Sequence, residues 1–225
     1  MIPFNRLDPN SRQVDPRQLP NGPTDGNRQW TITSAPTVEP VTVEELKLFG
    51  RLDGSDEDAL LASLISAVRM QAEEYTGRAF ITQTIRMVLD YWPRENIELP
   101  RPPLQSITAI SIVGEDGSVV AYDSSKYFVV AEKIPGEIVI KNGNVFPLNT
   151  ARYSAGIRID YRAGYGDAAT AVPEPIKSAI KMWTMDIYES RGKADAIIMG
   201  NSGREVHQPS IACRSILNLF KVINI

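Results

Sequence analysis

The stretch EEYTGRAFITQT (Glu73–Thr84) constrains the fold most, because the hydrophobic period changes inside it. Upstream, Leu60, Leu61, Leu64, Ile65, Val68, Ala72 and Tyr75 recur three or four residues apart, which predicts the apolar stripe of a long helix. Downstream, Ile81, Ile85, Met87, Leu89 and Tyr91 fall on one side of a two-residue alternation. Thr82, Thr84, Arg86 and Asp90 fall on the other, as in a strand with one buried face. Gly77 is placed to close the helix in a left-handed conformation. Gly77 and Arg78 therefore mark an architectural joint. Arg78 either caps the last helical carbonyls or pairs with a neighbouring subunit.

Other elements follow from capping and turn chemistry. Pro40–Leu52 reads as a short helix with Thr42 as its cap, Glu44 and Glu45 in its first turn and Gly50 at its end. Ser55 and Asp58 resemble a capping box for the next helix. Further strands are expected at 107–113, 118–122, 127–131, 137–141 and 157–162, with Asp116-Gly117 as a hairpin turn. Ile97–Ile107 reads as a stiff extended crossover, because each proline biases its predecessor to extended geometry. A last long helix carries Ile176, Ala179, Ile180, Trp183, Ile187 and Tyr188 on one face, with Pro173 and Pro175 at its start and Gly192 at its end. The fold class is α+β: a helical bundle core (37–79 and 167–194) with an inserted small antiparallel β-sheet or sandwich (80–166).

Extended arms flank this body. Residues 1–36 form the N-terminal arm, and seven of the chain's 16 prolines fall within the first 40 residues. Proline disfavours both helix and central strand, so this arm is expected to order on a partner or against its own domain. Trp30 stands out there as an aromatic anchor for a partner. Residues 195–225 form the C-terminal arm with a short amphipathic helix. Ile216, Leu217, Leu219, Phe220 and Ile223 are its candidate partner-binding residues. The segment either docks into a partner's groove or folds back on the helical core.

Signs of chemistry are scarce. The single histidine, His207, and the single cysteine, Cys213, cannot form a metal site or a thiol–imidazole pair by sequence proximity. The acidic run Asp53–Ala59 lacks the ligand spacing of a calcium loop and suits a helix N-terminus. Ala163–Asp167 holds a lone Gly-x-Gly, which reads as a turn. No catalytic, cofactor-binding or metal-binding residue is assigned. One cysteine suits a reducing compartment, and no secretory signal or bilayer-spanning run is expected. A net charge of −3 argues against a broad nucleic-acid grip.

The ordered set VTVEELK, YTGR…QT, LPRPPLQSI, EDGS, YRAGYG and VPEPIKSAIKMWTMDIYESRG resembles the head–tail connector family. These are the head-completion adaptors of long-tailed bacteriophages and gene transfer agents. The resemblance covers roughly Val41–Gly192. It implies a virion protein at the head–tail interface, with no enzymatic activity and no cofactor. It further implies a ring, dodecameric in the family, that joins the portal protein to a downstream stopper and passes genomic DNA without holding it. It also implies that the C-terminal segment reaches into the portal. Another neck component, or more remotely a hydrolase or carbohydrate-binding module, is the alternative. The proline-rich arm departs from the family pattern.

Overall fold

The computed structural model describes residues 28–92, 96–141, 151–190 and 209–222. In chain order the elements are β1 (Gln29–Ser34), α1 (Val43–Gly50), α2 (Asp58–Thr76), β2 (Gln83–Leu89), β3 (Ile97–Leu99) and β4 (Leu104–Val113). Then come β5 (Val119–Ala121), β6 (Tyr127–Val130), β7 (Gly136–Ile140), β8 (Ile157–Ala163), α3 (Glu174–Ser190) and α4 (Ile211–Asn218). The fold is α+β.

Thr42 caps α1 through a complete capping box, its hydroxyl accepting from the Glu45 N–H at 3.2 Å while its own N–H donates to the Glu45 carboxylate at 3.1 Å. Gly50 does not end this helix. It remains helical where a side chain would strike Met185 of α3, and Arg51 takes the left-handed position with φ of 52°. The expected Ser55–Asp58 capping box does not form either. Glu57 is the cap residue of α2, and Asp58 instead pairs with Lys47 of α1 at 2.8 Å. Gly77 closes α2 as expected, with φ of 70°.

The buried face of α2 is rotated from the expected stripe. Leu61, Ile65, Val68 and Ala72 are buried, whereas Leu60 is exposed and Tyr75 half-buried. The reason is that α1, α3 and α4 all meet α2, and their shared core takes in Arg69, Glu73 and Thr76 on the inner side. Ile176, Ala179, Ile180 and Trp183 of α3 fill this core, with Cys213 and Leu217 of α4.

Two antiparallel sheets build the second core. One has the order β1-β2-β8-β4-β5 and the other β3-β7-β6. Along β2, Gln83, Ile85, Met87 and Leu89 point inward in strict alternation. They meet Ile159 and Tyr161 of β8 and, from the smaller sheet, Ile97, Ile138 and Tyr127, so the sheets pack as a sandwich. All six expected strands are present within a few residues.

Over their described residues both arms pack on the chain's own body, one of the two alternatives expected for each. The N-terminal arm contains a strand: β1 pairs antiparallel with β2, placing Trp30 opposite Met87 and Ile32 opposite Ile85. No proline interrupts residues 24–35, and Trp-Thr-Ile-Thr has the branched and aromatic character of a strand. The crossover likewise contains β3, which pairs with β7. The C-terminal helix folds back on the helical core. Residues 1–27, Gly192, His207 and Ile223 lie outside the described residues.

Candidate interaction surfaces

The joint is held by a buried carboxylate. Glu73 lies in the last turns of α2 and is 3% exposed. Its Oε1 accepts the Phe80 N–H at 2.8 Å and the Gln83 side-chain amide at 3.1 Å. Its Oε2 accepts from Arg69 at 2.7 Å, and Arg69 also donates to Glu39 at 2.7 Å. One side chain thus ties helix, turn and strand together. Burial pushes the Glu73 carboxyl above its ordinary value, against the opposing pull of the Phe80 N–H, Arg69 and Arg101. Sequence reading missed this network, although Arg69 and Glu73 stand four apart on the inner side of the helix.

The YRAGYG segment clamps the same joint from outside. Thr82 donates to the Gly166 carbonyl at 3.0 Å, and Tyr165 donates to the Phe80 carbonyl at 3.1 Å. Gly164 has φ of 134°, and a Cβ there would lie 2.6 Å from the Ile81 carbonyl carbon. Only glycine fits so close to another backbone. The Gly-x-Gly is thus a packing device rather than a phosphate cradle.

Within the chain, Arg78 does not cap the last carbonyls of α2. Its Nε donates to the Phe220 carbonyl, just past α4, so it fastens the C-terminal segment rather than the end of α2. The Val222 N–H donates to the Thr76 carbonyl at 2.8 Å, Tyr75 Oη donates to Asn218 at 2.8 Å, and the Lys221 ammonium sits over the Tyr75 ring. Of the candidate anchors in this segment, Leu217 is fully buried in the chain's own core, and Ile216 and Phe220 pack against it. Leu219 alone of the described four faces out, 79% exposed. Ile211, at the start of α4, is also exposed.

Trp30 is anchored within the chain. The Arg101 guanidinium lies 4.6 Å from the centre of its ring, and Arg101 pairs with Glu74 of α2. These residues border an open groove of about 400 Å³ that Arg28, Gly77 and Val222 also line. Trp30 is 39% exposed.

On the outer face of the larger sheet two arginines are matched locally. Arg86 of β2 forms a bidentate pair with Asp160 of β8, and Arg162 pairs with Asp167 at 3.0 Å. Among the described residues no cluster of three or more His, Cys, Asp or Glu could hold a metal ion. No described helix is long and apolar enough to cross a membrane. Cys213 is buried between α4 and α3, its Sγ 3.4 Å from the Ala179 carbonyl.

A model of the head completion protein family matches residues 39–222. The chain belongs to the head completion protein family. Among solved structures, a chain from the virion of a native gene transfer agent particle shares the fold at a TM-score of 0.69 and 19% identity, covering 88% of this chain and 97% of that one. A chain from the neck of an empty gene transfer agent particle, computed with C6 symmetry, matches at a TM-score of 0.67 and 21% identity, with 88% and 97% covered. A third, from the neck of the native particle computed with C12 symmetry, matches at 0.65 and 18% identity, with 87% and 97% covered. No curated protein shows significant similarity to the chain.

Proposed function

We propose that this chain is a structural, non-enzymatic subunit of the neck of a tailed phage or gene transfer agent, joining the portal to the next neck component. Membership of the head completion family carries this reading. Fold likeness to chains from gene transfer agent necks supports it. In this reading the subunits form a ring at the head–tail interface, and DNA passes through the lumen. The locally paired Arg86 and Arg162 suit such a passage, because unmatched rows of arginine would hold phosphates. The helical part (37–79 and 167–194) and the β part (80–166) act as its two working ends. The exposed Leu219 and Ile211 of α4 are the surfaces offered to the portal, and the partly exposed Trp30 is a second contact.

The test is to purify the full chain with its portal and examine native mass and electron micrographs. Rings or portal-bound subunits are expected. A chain that stays monomeric and ignores the portal sinks the proposal. Attachment only to a particle already closed below the portal would instead make it a stopper or tail-completion subunit.

A further inference from the structure

The larger sheet ends in β1 on one side and β5 on the other, and among the described residues neither has a second neighbouring strand. Every residue of both strands is exposed. Both edges are apolar: Trp30 and Ile32 on β1, Val119 and Val120 on β5. An exposed apolar edge is a template for further pairing.

We propose that these two edges join successive copies of this chain, β5 of one copy adding to β1 of the next. The proposal rests on the ring reading above and gives it a contact. Direction supports it. Four antiparallel steps separate β1 from β5, so the two run the same way. Copies related by rotation about an axis near the strand direction then bring β5 beside β1 in parallel, a head-to-tail contact that can close. Side-chain faces also agree. Trp30 follows the row of Met87 and Ile159, and Val120 follows the row of Ile112 and Ile157, so both lie on the sandwich side.

The register names a test pair. Gln29, Val88, Arg158, Ser111 and Ala121 form one row across the sheet. Continuing that row places Ala121 of one copy beside Gln29 of the next, at a strand spacing of about 4.8 Å that a disulfide can bridge. Both positions are exposed, and the native Cys213 is buried. The full chain carrying Gln29→Cys and Ala121→Cys is oxidised with its portal present and run without reductant. A ladder of covalent oligomers up to ring size is expected, with neither single variant producing it. Val120→Lys, which sets a cation beside Arg28, should abolish rings while leaving the melting temperature of the subunit unchanged. Rings that survive Val120→Lys and yield no ladder overturn the edge contact and leave the ring reading intact. Cross-links to another neck protein overturn the second copy as occupant. Absence of rings in the wild-type chain with its portal removes both readings.

Discussion

The Phe80 N–H donates to Glu73 Oε1 at 2.8 Å across the turn that converts helix into strand. The donor would otherwise face a closed apolar interior, since Phe80 is fully buried. A carboxylate is costly there, and three donors, one each from helix, turn and strand, keep it in place. Replacing Glu73 with Leu strands the Phe80 N–H and the Gln83 amide and leaves Arg69 with Glu39 alone. The expected loss is about 3–5 kcal/mol in chemical denaturation. Glu73→Gln keeps one acceptor and should lose less.

The same residue gives a pH signature. Its folded-state pKa lies above the unfolded value near 4.5. The folded chain therefore binds this proton more readily than the unfolded chain. Stability from this group grows as pH falls through the folded pKa, is complete below about 4.5, and is lost as pH rises. Glu73→Gln removes the effect. Asp116 and Asp123, whose hydrogen bonds hold their carboxyls below the usual range, act in the opposite sense but are common to both proteins. The stability of wild type relative to Glu73→Gln should increase on acidification from neutral pH. A flat difference in urea titrations across that range would refute it.

Gly164 and Gly117 make a matched contrast. Both have positive φ, but a Cβ at Gly117 meets nothing within 4 Å, whereas at Gly164 it strikes backbone. Gly117→Ala should cost about 1 kcal/mol from conformation alone. Gly164→Ala should cost well beyond that, seen as loss of the cooperative thermal transition or of soluble protein.

The C-terminal helix separates folding from docking. Leu217→Ala opens a hole in the helical core and should cost about 2–5 kcal/mol. Leu219→Ala touches an exposed side chain and should stay within about 0.5 kcal/mol. Under the proposed function it is Leu219→Ala that weakens portal pull-down at unchanged melting temperature.

Cys213 reports on that helix directly. Burial pushes its thiol up to about 11, so the native chain should react with a thiol reagent at pH 8 far more slowly than the unfolded chain. If portal binding draws α4 out of the core, labelling should accelerate on adding portal. Continued protection in the complex would show that α4 stays seated.

Much of this was legible beforehand because it is local. The period change at the joint, the Thr42 capping box, Gly77 and six strands each rest on residues close in sequence. What escaped depends on distant partners. Gly50 reads as a stop until Met185 is known to occupy its missing side chain. Leu217 reads as an anchor until α2 and α3 close over it. β1 was hidden by the prolines around it, although the stretch from 24 to 35 has none. The Glu73 network escapes a local reading because its partners Phe80 and Gln83 lie beyond the turn.

The groove bordered by Trp30 and Arg101 has a topological consequence. Arg28 and Val222 line it together, so the described chain ends almost where it starts. Glu74 and Thr76, in the final turn of α2, secure the two ends through Arg101 and Val222 respectively. Both ends of the described stretch therefore leave the body from a single spot.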